Sequence, residues 1–227
     1  MTDESDVSPV TRSKSEAKSA YDRLSRWYDL LASRGEEKAK KTGLRELAVE
    51  VGKTVLEVGC GTGSSMETLA ESVGEDGEVV GIDLSIGMLS ITQKRIKKVK
   101  LSDRVELVCS DAANLPFKED SFKAVFMSFT LELFDTPEIP LVLFECKRVL
   151  NKDGRLSVVA MSKNKTEKDT FTMRLYEWMH RRLPKYVDCR PIPLQEILKN
   201  AGFIVTSQEQ FSTWRLPIIV ALTKKTH

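Results

Sequence analysis

An α/β fold with a doubly wound, mostly parallel sheet is predicted by three observations. Apolar runs rich in β-branched residues recur along the chain, helix-like stretches separate them, and the last two runs lie too close together for a crossover helix. The first five runs are at 54–59, 79–83, 105–108, 124–127 and 156–160. Continuous apolar runs of this kind are typical of parallel strands that helices cover on both faces. We therefore expect five parallel strands with helical connections.

The C-terminal part of the chain breaks this pattern. Runs at 203–205 and 218–222 predict a terminal antiparallel hairpin, because the segment between them is too short for a convincing helix. A late helix is expected near 194–200. Before it, residues 163–193 form an insertion whose apolar residues have helical spacing, and we expect this insertion to be a helical lid over the strand ends. The sheet should therefore have seven strands.

The N-terminal residues predict a tail followed by one domain. Residues 1–20 are polar and charged without an apolar core, so we expect them to be disordered and not a signal peptide. From 21 to 31, apolar and aromatic residues are spaced as on an amphipathic helix, and a second helix is expected near 36–49. We expect a single domain over 21–227.

Composition and charge exclude several kinds of protein. The 227 residues are 41% hydrophobic and 30% charged, and the net charge of +2 gives no field that would attract nucleic acid. The basic run at 94–100 is interrupted by Ile96 and Val99 at helical spacing, which favours a solvated helix face over a phosphate site. The four cysteines form no CxxC pair, so neither a zinc site nor a disulfide framework is predicted.

These features also bear on location. No apolar run is long enough to span a bilayer, so any membrane contact would be peripheral. The cysteine pattern fits a reducing compartment. We expect a cytoplasmic protein, able to meet a membrane only at its surface, with no nucleic-acid partner and no bound metal.

A glycine-rich turn follows the first strand. Residues 56–63 read Leu-Glu-Val-Gly-Cys-Gly-Thr-Gly and lead into a helix. Glycines let a ligand approach the backbone, and the N–H groups at the start of a helix attract anionic groups. A tight turn without a ligand would explain the glycines too, so the motif becomes informative only together with the residues that follow.

Two acidic residues follow the next two strands. Asp83 ends the second run, 24 residues after Gly59, where a carboxylate can accept hydrogen bonds from both ribose hydroxyls. Asp111 follows the third run, and beside it the N–H of Ala112 could meet the edge of an adenine. Dehydrogenases that bind NAD share the ribose acid, but their motif has a third glycine where this chain has Ser64. The three strand ends therefore favour an adenosine ligand that is not a dinucleotide.

In order and spacing, the segments 57–63, 83–89 and 110–117 resemble the motifs of class I methyltransferases that use S-adenosylmethionine (SAM). The resemblance extends from about residue 21 to the end of the chain. Within this superfamily the chain looks most similar to the C-methyltransferases of ubiquinone and menaquinone biosynthesis. The resemblance implies a Rossmann-like fold, SAM as cofactor, and methyl transfer to a small or lipid-like acceptor such as a prenylated quinol.

The resemblance also implies a set of cofactor-binding residues. The glycine-rich turn would lie against the methionine part of SAM, the residues after the second and third strands would bind ribose and adenine, and those that end the fourth strand would lie near the sulfonium. Two N-terminal tyrosines would close over the methionine end, although amphipathic packing explains them equally well. The full set is Tyr21, Tyr28, Glu57, Gly59, Cys60, Gly61, Gly63, Asp83, Leu84, Met88, Asp111, Ala112, Ser128 and Phe129.

Methyl transfer from a sulfonium needs few catalytic groups, because the methyl group is already activated and the protein mainly aligns the reactants. A quinol acceptor would need a base for its phenolic proton. Our two candidates are Glu132, just past the fourth strand, and His180 in the insertion, with Asp135 and Tyr186 as further ones. Capping of the next helix explains Glu132 comparably well, and a solvent-facing or capping role explains His180.

Several functions remain open. The acceptor could be a quinol or another lipid such as a phospholipid amine, or it could be a soluble metabolite. The chain could also be a SAM-binding partner subunit without catalysis. The cofactor motifs fit all of these, so only turnover separates them. The Asn/Asp-Pro-Pro-aromatic motif of enzymes that methylate base amines is absent, and no acidic cluster is suited to Mg²⁺.

Overall fold

The computed structural model of the protein describes residues 34–162, 190–213 and 216–225. The predicted tail, the predicted helix at 21–31 and nearly all of the predicted lid insertion lie outside these residues. The same holds for four of the candidate site residues, which are Tyr21, Tyr28, His180 and Tyr186. The predictions about them stay predictions.

Helices and strands alternate along the described residues as predicted, with one exception. The strand at Val105–Cys109 is joined to the strand at Phe122–Ser128 by turns, so the helix expected in this connection is absent from residues 110–121. The elements are α1 (Arg34–Leu47), β1 (Thr54–Val58), α2 (Met66–Val73), β2 (Glu78–Asp83), α3 (Ile86–Lys98), β3 (Val105–Cys109), β4 (Phe122–Ser128), α4 (Ile139–Val149), β5 (Leu150–Met161), α5 (Leu194–Asn200), β6 (Phe203–Thr213) and β7 (Leu216–Lys225). Short 3₁₀ turns lie at Ser102–Arg104 and Leu131–Leu133. The strands β5, β6 and β7 are longer than their apolar runs. In β6 the extra residues are polar except for Phe211, because this strand forms the edge of the sheet and needs no continuous apolar pattern.

Within the described residues the strands form one seven-stranded sheet in the order β3-β2-β1-β4-β5-β7-β6. The first five strands pair in parallel, and β7 runs antiparallel to both β5 and β6. This confirms the predicted Rossmann-like sheet with its C-terminal antiparallel hairpin. The strand order reverses at β1, so the loops after β1 and β4 leave in opposite directions and open a crevice at the carboxyl edge of the sheet.

Helices cover both faces of the sheet and bury two apolar cores. Side chains of α1, α2 and α3 pack on one face, and those of α4 and α5 pack on the other. The neighbours Val55 and Leu56 in β1 belong to different cores, because successive side chains in a strand point to opposite faces. Burial on both faces explains why β1 reads as a continuous apolar run without alternation.

The surface agrees with one sequence prediction. In the basic run of α3, Ile96 is buried while Lys94, Lys97 and Lys98 are exposed, so this run is a solvated helix face. Among the helices that the structure describes, none has the length and apolar character needed to cross a membrane.

Gly43 lets α1 approach the sheet closely. A Cβ at this position would lie 2.8 Å from Val159 Cγ2 and 3.1 Å from Phe126 Cε2. The carbonyl of Gly43 accepts a hydrogen bond of 3.1 Å from Ser157 Oγ in β5. The helix axis is therefore held at a distance from β4 and β5 that only glycine permits.

Gly43→Val should lower the free energy of unfolding by about 2 kcal/mol, because the added atoms overpack the interface of α1 with the sheet. Urea unfolding would show a lower midpoint with an unchanged slope. Lys41→Ala is the control, since the Lys41 side chain is 74% exposed on the same helix and its removal should change stability by less than about 0.5 kcal/mol. Equal stability of Gly43→Val and wild type would contradict the close approach.

Candidate functional site

The turn after β1 contains three glycines with left-handed backbone. Gly59, Gly61 and Gly63 have φ angles of 69°, 54° and 78°. A Cβ at Gly59 would lie 2.4 Å from Thr130 Cγ2, and one at Gly63 would lie 2.6 Å from Thr92 Cγ2. A Cβ at Gly61 would meet no atom of the described residues within 4 Å. Close packing therefore explains two of the glycines, while Gly61 leaves one side of the turn accessible to a ligand.

Asp83 connects this turn to the end of β2. Its Oδ2 accepts a hydrogen bond of 2.9 Å from the Gly61 N–H, and its Oδ1 accepts one of 2.8 Å from the Ser85 N–H. Ser85 in turn caps α3, because its Oγ accepts a bond of 3.1 Å from the Met88 N–H. A carboxylate oxygen can accept more than one hydrogen bond, so this geometry is compatible with the predicted ribose contact.

The loops after β2 and β3 lie side by side. The Ser110 N–H donates to the Asp83 carbonyl at 3.2 Å, and Asp111 Oδ1 accepts from the Ala113 N–H at 3.0 Å. Ala112 between them is buried. The structure therefore brings together the residues predicted for ribose and adenine, which are Asp83, Leu84, Met88, Asp111 and Ala112.

Glu57 is a fully buried carboxyl group in β1, below the glycine-rich turn. Desolvation raises its pKa to about 8, while the positive charge of Lys40 opposes this rise. Lys40 itself reaches from α1 to the turn, where its Nζ donates to Ser64 Oγ at 2.7 Å. Glu57 Oε2 has no hydrogen-bond partner among the described residues. The next motif residue, Cys60, is buried too, and burial raises the pKa of its thiol well above the usual range.

The backbone turns sharply after β4. Phe129 has a φ of 52°, uncommon for a residue other than glycine, and its N–H donates to the Val159 carbonyl at 2.7 Å. This turn brings Thr130 against Gly59. Ser128 Oγ is buried and finds no hydrogen-bond partner in the part of the chain that the structure describes. The predicted residues Ser128 and Phe129 thus lie where β4 meets the glycine-rich turn.

Glu132 is completely buried within the 3₁₀ turn after β4. Its Oε1 accepts a hydrogen bond of 3.0 Å from the Met161 N–H at the end of β5, and its Oε2 has no partner within residues 34–162, 190–213 and 216–225. Desolvation raises its pKa to about 7, and the Met161 N–H and the charge of Arg190 act against this rise. It does not cap the following helix, because the residue at the N-cap of α4 is Glu138.

Arg190 is a site residue that the sequence did not reveal. Its side chain is only 1% exposed, Nη2 donates to the Phe134 carbonyl at 2.6 Å, and Nη1 donates to Thr136 Oγ1 at 3.0 Å. Arginine is rarely buried, and a single arginine ahead of an apolar stretch is typical of a surface residue. The packing of Thr130 against Gly59 could not be predicted from the sequence either, because only the fold brings these two residues together.

The described candidates fall into two groups along the carboxyl edge. We call the candidates at the ends of β1, β2 and β3, together with Ser128 and Phe129 after β4, the cofactor group. We call the candidates Glu132, Asp135 and Arg190, which follow β4 and β5, the acceptor group. Asp135, a further candidate base, accepts a hydrogen bond of 2.9 Å from the Thr136 N–H through its Oδ1. Over the described ranges, no cluster of histidine, cysteine and acidic side chains is suited to a metal ion.

Comparison with known proteins identifies the kind of domain. Residues 55–154 match a family model described as a methyltransferase domain. The demethylmenaquinone methyltransferase of Oceanobacillus iheyensis is 36% identical over 123 residues, which are 54% of this chain and 50% of the relative. The enzyme of that name from Symbiobacterium thermophilum is 27% identical over 215 residues, covering 83% of this chain and 85% of the relative. Residues 55–154 therefore form a methyltransferase domain.

The match to the Oceanobacillus protein spans about half of that relative's length. A solved structure supports the fold of the methyltransferase domain over a longer range. It is the 1,6-didemethyltoxoflavin-N1-methyltransferase of Burkholderia thailandensis with bound 1,6-didemethyltoxoflavin and S-adenosylhomocysteine. The TM-score is 0.68 with 17% identity, and the alignment covers 97% of this chain and 95% of the other. The comparisons confirm the predicted type of domain and its cofactor, SAM.

The residues of the methyltransferase domain fit SAM chemically. The ammonium and ribose hydroxyl groups of SAM are hydrogen-bond donors. The cofactor group supplies acceptors in Asp83, Asp111 and Glu57 Oε2, and the last of these has no hydrogen-bond partner among the residues that the structure describes. Gly61 lets a ligand approach the turn without a clash. The site could therefore hold the methionine end beside β1 and the adenosine beside β2 and β3.

Gly61→Ala should weaken SAM binding at least tenfold by titration calorimetry, because its methyl group would point to where we expect the ligand. The loss of stability should be only about 1 kcal/mol, the cost of a left-handed alanine. Gly59→Ala is the matched variant. Its methyl group collides with Thr130, so we expect a larger loss of stability in urea unfolding. Unchanged SAM affinity in Gly61→Ala would count against the site.

Glu57 should make the free energy of unfolding depend on pH. The folded protein keeps a proton on this carboxyl up to about pH 8, whereas the unfolded chain releases it near pH 4.3. The folded state binds more protons in this window, so this contribution to stability is complete below about pH 4 and is lost as the pH rises through about 8. Relative to wild type, Glu57→Gln should therefore gain stability as the pH rises.

The measurement is a series of urea titrations between pH 5 and pH 8.5. Glu78→Gln is the control, because Glu78 is exposed at the start of β2 and its replacement opens nothing in the interior. Parallel stability profiles of wild type and Glu57→Gln would show that Glu57 is not protonated in the folded protein.

Proposed function

We propose that the protein transfers the methyl group of SAM to a ring carbon of a prenylated quinol. The observation that carries this proposal is the position of Glu132. It is a buried carboxyl group at the end of β4, in the loop whose Thr130 packs against the glycine-rich turn. The similarity to demethylmenaquinone methyltransferases over 83% of the chain supports the acceptor class.

SAM, when bound, supplies an activated methyl group on a sulfonium. The chain's own contribution is to orient the acceptor and to take its phenolic proton. A phenol that loses its proton makes the neighbouring ring carbon electron-rich and nucleophilic. With a pKa of about 7, Glu132 is partly ionised near neutral pH, and its Oε2 can accept that proton. An unshifted glutamate would be too weak a base for this step.

The surroundings of Glu132 suit an apolar acceptor. Leu131, Met161 and Ile192 are all buried around the ends of β4 and β5. Such an environment excludes water and strengthens electrostatic interactions at the reacting groups. The aromatic ring of Phe129 could also stabilise the positive sulfonium from its position after β4. A prenylated quinol resides in a lipid bilayer, so the proposal includes peripheral contact with a membrane.

Three alternative functions would use the same cofactor site. The acceptor could be a phospholipid amine or a soluble metabolite, and neither would need a base for a phenol. The chain could also bind SAM as a partner subunit without turnover. His180 remains a further candidate base, and Tyr21 and Tyr28 remain candidates for closing over the methionine end of SAM.

Glu132→Gln should lower kcat for a reduced, short-chain demethylmenaquinol by about a hundredfold or more, because the base is lost. SAM affinity should stay within about twofold, since Glu132 belongs to the acceptor group. Turnover is measured by mass spectrometry as the gain of one methyl group. Glu138→Gln, which changes a glutamate of the same loop, is the control and should keep wild-type turnover.

Other outcomes separate the alternatives. Methylation of a phospholipid amine or a soluble heterocycle, with none of the quinol, would replace the proposed acceptor. SAM binding without turnover of any acceptor class would indicate the partner subunit. Full activity of Glu132→Gln on the quinol would remove Glu132 from the mechanism while leaving the acceptor class intact.

A further inference from the structure

Arg190 forms two hydrogen bonds to the loop that contains Glu132. Its guanidinium donates to the Phe134 carbonyl at 2.6 Å and to Thr136 Oγ1 at 3.0 Å. Both acceptors belong to the segment between β4 and α4, two and four residues after Glu132. A planar guanidinium that binds two acceptors fixes their relative position better than a lysine could.

The backbone next to Arg190 is attached to the end of β5. Ile192 donates its N–H to the Met161 carbonyl at 3.2 Å, and its own carbonyl accepts from Ser162 Oγ at 2.9 Å. The N–H of Met161 donates to Glu132 Oε1. Met161 therefore links the two parts of the site. Its N–H binds Glu132, and its carbonyl binds Ile192, which lies two residues after Arg190.

Charges add to these contacts. Arg190 faces the carboxyl groups of Glu132 and Asp135, and burial lowers the pKa of its guanidinium while both carboxyl groups raise it. An arginine keeps its charge at neutral pH even so. Glu132 in turn faces Arg190, the Met161 N–H and, from α1, the negative charge of Glu36. Among these groups Arg190 supplies the positive charge that favours a carboxylate at Glu132.

We propose that Arg190 is a positioning residue of the acceptor site, which holds the Glu132 loop against β5 and favours the carboxylate form of Glu132. The effect of Arg190 on turnover rests on the proposed function, because it requires Glu132 to be the catalytic base; we call this the kinetic part of the proposal. The structural and electrostatic part concerns the folded protein alone. The two parts therefore have separate tests.

The first test is the ionisation of Glu132 in the full chain without acceptor. Carbon NMR of protein labelled at the glutamate carboxyl carbons follows its titration, and Glu132→Gln assigns the signal. In Arg190→Gln the titration midpoint should rise by about one pH unit, because a positive charge is lost while a donor for the Phe134 carbonyl remains. Arg190→Lys keeps the charge and should show a clearly smaller rise.

Thr136→Val is the matched control. It removes one hydrogen bond of Arg190 and leaves the charge in place, so the midpoint should stay close to wild type. A midpoint in Arg190→Gln equal to that of wild type would overturn the proposal. Equal rises in Arg190→Gln and Arg190→Lys would overturn it as well, because the charge would then have no part. If Arg190→Gln fails to fold, Arg190→Lys still decides. Because this variant keeps the charge, its midpoint should lie close to that of Thr136→Val, and a rise of about one pH unit in Arg190→Lys would contradict the proposal.

The second test is the pH profile of kcat/KM with the quinol. If Glu132 is the base, the acidic limb in Arg190→Gln should move upward by the same amount as the NMR midpoint, and Arg190→Lys should restore most of it. A purely structural role would lower kcat/KM at every pH without moving the limb, and this result would overturn the kinetic part. A shifted NMR midpoint together with full activity of Glu132→Gln would reject the proposed base and support the placement of Arg190 at Glu132.

Discussion

The packing of Gly59 against Thr130 is the constraint on which the rest of the site depends. A Cβ at Gly59 would lie 2.4 Å from Thr130 Cγ2, so the Thr130 side chain packs directly on the Gly59 backbone and holds the loop after β4 against the turn after β1. These two loops leave the sheet on either side of the point where the strand order reverses. Their contact sets the distance between the cofactor group and the acceptor group. In-line transfer depends on that distance, because reacting atoms must be held near contact.

Both sides of this contact hold a buried carboxyl group. Glu57 lies under the turn and Glu132 lies in the loop, and desolvation raises the pKa of each. Burying a carboxyl group with one oxygen unpaired opposes folding. Groups of this kind, placed where strand ends converge, are typical of functional sites. Glu57 is suited to a positively charged ligand group, whereas Glu132 is suited to accepting a proton.

The sequence predicted the parts of the fold that repeat a simple pattern. The five parallel strands, the late helix at Leu194–Asn200 and the terminal hairpin follow from apolar runs and their spacing. The length of β6 did not, because an edge strand is held by backbone pairing with β7 and carries polar side chains at 206–210. Most of the candidate cofactor residues could be proposed from motifs, because these motifs lie at the ends of the first four strands.

The acceptor side was harder to predict for physical reasons. Glu132 was identified by its place after β4, but its bond to Met161 joins residues 29 positions apart and no local pattern reports it. Arg190 and Thr136 are 54 positions apart, and burial of an arginine depends on partners that only the folded chain supplies. The sequence around Thr130 gives no sign of its contact with Gly59, because the two residues meet only in the folded chain.

Titration calorimetry with SAM and with S-adenosylhomocysteine tests the central claim most directly, on wild type and on Asp83→Ala. Asp83 holds the Gly61 N–H and is the proposed ribose acceptor. The account predicts that wild type binds both ligands and that Asp83→Ala binds neither, while Asp103→Ala, in the 3₁₀ turn before β3, binds like wild type. Absence of binding to folded wild type, or undiminished binding to Asp83→Ala, would contradict the site.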